Sequence, residues 1–89
     1  MKTLEVSVKG KVQGVWFRKY TADKAQSLKV RGTVENLSDG SVLVYVQGTT
    51  EILKQFIEWL HIGSPESKVE QVVCKELEHE VYKTFEIKR

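Results

Sequence analysis

Gly10-Lys11-Val12-Gln13-Gly14-Val15-Trp16-Phe17-Arg18 joins two stretches of different periodicity. Before it, Leu4, Val6 and Val8 alternate with Glu5, Ser7 and Lys9, the period of two of a strand with one buried face. After it, Thr21, Ala25 and Leu28 recur at helical spacing, with Tyr20 and Ala22 flanking the same stripe and Asp23, Lys24, Gln26 and Lys29 on the other side. The spacing predicts a strand over 4–9, a loop over 10–18 and a helix over 19–28. A loop at a strand-to-helix junction can aim several backbone N–H groups at one point, and the first helical turn adds unpaired N–H groups and a partial positive charge. Lys9, Lys11 and Arg18 lie in or beside the stretch with no acid among them. Such a junction suits a phosphate, and Arg18 would close it with a planar fork that matches phosphate oxygens. The spacing leaves a second reading open, in which the glycines only permit turns and the arginine is solvated.

Downstream, Gly32 leads into a second short strand over 33–36, and Ser38-Asp39-Gly40 marks a hairpin turn into a return strand over 41–47. Thr49 and Thr50 are candidate helix N-caps, with Glu51 favourably placed in the first turn. Ile52, Leu53, Phe56, Ile57 and Leu60 then form the clearest amphipathic helix of the chain, which Gly63 and Pro65 stop. Val69, Val72, Val73 and Leu77 suggest a strand over 69–77 whose broken alternation implies a bulge or bend. The segment 78–83 reads as a turn, and Phe85 and Ile87 as a last short strand.

The order is β-α-β-β-α-β with a short extra C-terminal strand. It predicts an α+β fold: a two-layer ferredoxin-like sandwich, its antiparallel sheet covered on one face by two helices. In that topology the first and second strands end at the same edge of the sheet with one strand between them. The glycine loop and Asn36 then come within roughly 10 Å of each other.

With 89 residues and no linker, repeat or low-complexity segment, the chain is expected to be one domain, 1–89. Apolar residues at 40% and charged residues at 29% fit a soluble globular chain, and a net charge of +2 is too small to imply a nucleic-acid partner. The lone Cys74 excludes an internal disulfide, fits a reducing compartment and reads as a small strand hydrophobe rather than a nucleophile. Glu5, Ser7 and Lys9 interrupt any signal-peptide core, and the longest apolar run, 42–46, is far too short to cross a membrane. A cytoplasmic monomer without membrane contact is the expectation.

Gly10-x-Val12-Gln13-Gly14-Val15-x-Phe17-Arg18, followed by Gly32-x-Val34-x-Asn36 and Asp39-Gly40, resembles the acylphosphatase family. Trp59-Leu60, Gly63-Ser64-Pro65 and Phe85-x-Ile87 resemble its later pattern, so the likeness covers nearly the whole chain. The resemblance implies a metal-free, cofactor-free hydrolase that cleaves an acyl phosphate, a carboxyl-phosphate anhydride, to a carboxylate and inorganic phosphate. The product would also act as a competitive ligand. By position in the pattern, Gly10, Lys11, Val12, Gln13, Gly14, Val15 and Trp16 would cradle the phosphate. Arg18 would be the phosphate-binding catalytic arginine, and Asn36 the catalytic asparagine that positions water. The chain departs from the pattern at Trp16, where a smaller residue is common, and at Lys29, where glycine is common and a left-handed lysine would cost about 1 kcal/mol.

Three other readings compete. A metal site would need partners that the isolated His61, His79 and Cys74 lack, so surface histidines are expected. An RNA-binding module of the same architecture stacks bases on aromatics of its central strands, where this chain offers only Tyr45. A non-catalytic anion-binding domain would share the glycine loop.

Overall fold

A computed structural model describes residues 1–78 and 81–89. His79 and part of the segment expected to turn lie outside the described residues. Seven elements follow in order: β1 (Lys2–Lys11), α1 (Phe17–Leu28), β2 (Arg31–Asn36), β3 (Val42–Gly48), α2 (Thr50–Ile62), β4 (Lys68–Leu77) and β5 (Phe85–Lys88). The strands form one sheet in the order β4-β1-β3-β2-β5. The period-two pattern of β1 has its expected result: Val6 and Val8 are fully buried, and so are Val42, Val44 and Val46 of β3 and Val34 of β2. α1 packs on β2 and β5, and α2 on β3 and β4. The stripe of α2 buries Leu53, Phe56 and Leu60, whose apolar surface drives this helix onto the sheet.

The sheet is mixed rather than wholly antiparallel, because β5 runs parallel to β2, with Gly32 opposite Phe85 and Val34 opposite Ile87. β4 ends beside Thr3, at the start of β1, and β5 begins beside Gly32, near the start of β2, at the same end of the sheet. β5 then runs beside β2 in the same direction. This lays Phe85 and Ile87 against the core and ends β5 near the C-terminal end of β2.

The broken alternation in β4 is a bulge. Lys9 pairs with Gln71 but Gly10 with Val69, which leaves Glu70 as an extra residue. Gly10 is what the bulge requires, since it holds φ 131 and a Cβ there would collide with the carbonyl oxygen of Lys68. Gly10 and Lys11 therefore extend β1 beyond its expected end, and the loop proper spans 12–16. α1 likewise begins earlier than expected, because Phe17 is a core residue, 1% exposed, that draws the first turn onto the sheet. Within α1, Ala22 is buried but Tyr20 faces solvent. At its end Lys29 is left-handed, φ 58, and the N–H groups of Lys29 and Val30 donate to Gln26 and Ala25.

Candidate active site

Val8, Val42 and Asn36 share one row across β1, β3 and β2. Asn36, the last residue of β2, therefore lies at the sheet end from which the 12–16 loop departs. Strand alternation puts its side chain on the same face as the buried Val34, toward the helices. Its Oδ1 is buried and has no hydrogen-bond partner among the described residues. A buried amide oxygen left so is costly unless something donates to it.

The loop is shaped by two left-handed residues, Gly14 at φ 73 and Trp16 at φ 62. Among the described residues the N–H groups of Gln13, Gly14, Val15 and Trp16 donate no hydrogen bond. The helical ladder of α1 starts only with the N–H of Tyr20 donating to the carbonyl of Trp16, 3.1 Å away. The N–H groups of Phe17, Arg18 and Lys19 precede it and have no helical acceptor. Trp16 supplies no side-chain cap, and the first turn holds no acid. The result is a run of main-chain donors and an uncompensated helix N-terminus at one place, which favours negative charge.

Two tethers hold the loop. The Gln13 Nε2 donates to the carbonyl oxygens of Leu37 and Ser41, at 2.7 and 2.8 Å, joining the loop to the β2–β3 hairpin beside Asn36. The buried Ser64 Oγ donates to the Val15 carbonyl at 2.8 Å, joining the loop to the exit of α2. The hairpin itself is stiffened where the backbone N–H and hydroxyl of Ser41 donate to the Asp39 carboxylate. Those bonds, the hydroxyl's first, hold the Asp39 carboxyl below its usual range.

Arg18 is half-buried on the first turn of α1, and its Nη1 donates to the Lys88 carbonyl of β5 at 3.0 Å. That bond fixes the guanidinium by one corner and leaves the rest of its fork uncommitted. Arg18, Asn36, Val12, Gly14 and Trp16 line one cavity of about 670 Å³. Of the other residues expected in the cradle, Gly10 and Lys11 are paired with β4, the Gln13 side chain turns to the hairpin, and Val15 is 6% exposed in the core. Gln13 and Ser64 as tethers, and Lys88 as the brace for Arg18, were not foreseen from sequence. Contacts spanning 24 to 70 positions leave no periodic trace.

Elsewhere the aromatics serve packing. Phe56 is fully buried, Trp59 lies 6.0 Å from Phe17 between ring centres, and the Tyr45 hydroxyl donates to Glu5. Burial pushes the Cys74 thiol up, away from the reactive thiolate. Among the described residues no three His, Cys, Asp or Glu side chains group as a cation site, and no helix is long and apolar enough to cross a membrane.

A family model described as Acylphosphatase matches residues 4–87. A protein named acylphosphatase from Thiobacillus denitrificans is 45% identical over 86 residues, covering 97% of this chain and 96% of that one. One of the same name from Shewanella amazonensis is 41% identical over 88 residues, covering 98% and 97%. The crystal structure of acylphosphatase from Bacillus subtilis superposes with a TM-score of 0.97 at 34% identity, over the whole of both chains.

Proposed function

The chain belongs to the acylphosphatase family, and we propose that its pocket hydrolyses acyl phosphates by gripping the phosphoryl group and aligning a water molecule, without a metal ion. The main-chain donors of the 12–16 loop and the start of α1, with the free side of the Arg18 fork, meet the phosphoryl oxygens. Asn36, which lines the same cavity, orients the water through its carboxamide so that the water oxygen faces phosphorus, opposite the bond to be broken.

This reaction asks for little else. Phosphoryl transfer passes through a loose transition state, in which positioning and charge stabilisation do most of the work. The bond from water oxygen to phosphorus forms as the bond from phosphorus to the acyl oxygen breaks. The carboxylate leaves with that electron pair; its conjugate acid has a pKa of ~4, so no general acid is needed. The water's proton passes to a phosphoryl oxygen, giving inorganic phosphate. The observation that carries the reading is that Arg18, its fork held at one corner only, and Asn36 line the same cavity.

On this reading residues 1–89 act as one domain and a cytoplasmic monomer on a small-molecule acyl phosphate, with phosphate as a competitive ligand. The single cysteine supports the compartment, and the engagement of Tyr45, Phe56 and Trp59 in the fold speaks against base stacking. The test is release of phosphate from benzoyl phosphate in excess chelator. Turnover should persist and should be inhibited competitively by inorganic phosphate; turnover abolished by chelator and restored by a divalent ion would overturn the metal-free mechanism.

A further inference from the structure

We propose that Trp16 contacts the acyl part of the substrate and gives the chain a preference for planar, aromatic acyl phosphates over short aliphatic ones, an inference that rests on the phosphoryl site described above. Trp16 is 71% exposed, whereas Phe17 beside it is 1% exposed in the core. Trp16 also holds φ 62, a conformation that disfavours any side chain with a Cβ. Neither burial nor backbone preference accounts for an indole at this position. Trp16 does line the cavity, together with the apolar residues Ala22, Phe85 and Ile87.

In-line displacement sets the direction in which the acyl group must lie. On that reading the water is held at Asn36, the last residue of β2, so attack comes from the β2 side of the cavity. The leaving oxygen is then on the side of phosphorus away from Asn36, and the acyl group it carries extends along the rest of the cavity lining, to which the exposed Trp16 belongs. A flat acyl group there gains apolar contact and ring stacking that an acetyl group is too small to make.

The experiment compares kcat/KM for benzoyl phosphate and acetyl phosphate in the full chain and in Trp16→Phe, Trp16→Ala and Trp16→Gly. The benzoyl-to-acetyl ratio should fall roughly three- to tenfold in both the Ala and Gly variants, the size of one lost aromatic contact, and be largely kept in Trp16→Phe. Glycine relieves the left-handed backbone, so agreement between the Ala and Gly variants assigns the effect to the indole. Competitive inhibition by inorganic phosphate reads any disturbance of the cradle separately, since every variant keeps the main-chain N–H at position 16, and the benzoyl-to-acetyl ratio should fall by more than phosphate inhibition weakens. An unchanged ratio in the Ala and Gly variants, or phosphate inhibition that weakens in step with benzoyl phosphate turnover, would overturn the assignment. Failure of the unmodified chain to hydrolyse either substrate would instead bring down the hydrolytic reading itself, and this inference with it.

Discussion

The two helices rest on the same sheet and begin in opposite ways. α2 starts by ordinary rules: the Thr49 side chain accepts from the N–H of Ile52, and Glu51 places a negative charge in the first turn. α1 starts against them, with a left-handed tryptophan at the cap, no capping side chain and no acid. Both ends carry the same orphan donors and the same partial charge. In α2 the Thr49 hydroxyl takes one of those donors and Glu51 offsets the charge; in α1 neither is supplied, beside a half-committed arginine and an amide oxygen without a partner among the described residues. Places where local rules fail inside an otherwise consistent fold are where function is to be sought.

The contrast can be broken most forcefully at Arg18. Replacing it with alanine should lower kcat/KM for benzoyl phosphate by roughly a hundred- to a thousandfold, as for loss of an oxyanion donor, with little change in thermal stability. Wild-type turnover by Arg18→Ala would remove the arginine from the site. Asn36→Ala should come next, reducing kcat by more than it weakens inhibition by phosphate, because its proposed partner is the water. The reverse split would make Asn36 a binding residue.

Smaller changes sharpen the picture. Gln13→Ala removes both bonds to the hairpin and should destabilise the fold by about 1–3 kcal/mol in urea titrations, lowering kcat as Asn36 loses its fixed distance from the loop. A kcat identical to wild type would show that the tether is structural only. Thr49→Ala, the matching change at the other helix, should cost about 1 kcal/mol of stability and leave turnover alone. A comparable loss of activity there would erase the distinction between the two ends.

How much of this could be read beforehand depended on whether the information was local. The alternation through Val6 and Val8 and the stripe of α2 dictated their elements, and the irregular valines of β4 announced its bulge. That Arg18 and Asn36 should meet followed from topology alone, since strands one and two end at the same edge of the sheet. The direction of β5 did not follow: Phe85 and Ile87 state which face is buried but not which way the strand runs. The ends of the glycine loop were also hidden. Gly10 answers to a backbone 58 positions downstream, at Lys68, and Phe17 to the core beneath it. The bonds from Gln13, Ser64 and Arg18 to distant carbonyls are products of the finished fold.

The uncapped end of α1 can be interrogated by titrating the 15N-labelled chain with inorganic phosphate and following every backbone amide. The amides of residues 13–19 should shift together and saturate with one dissociation constant, while those of 50–53 at the start of α2 stay in place. Shifts that spread evenly over exposed lysines, or that favour the capped helix, would contradict the claim that this loop and this helix end hold the phosphoryl group.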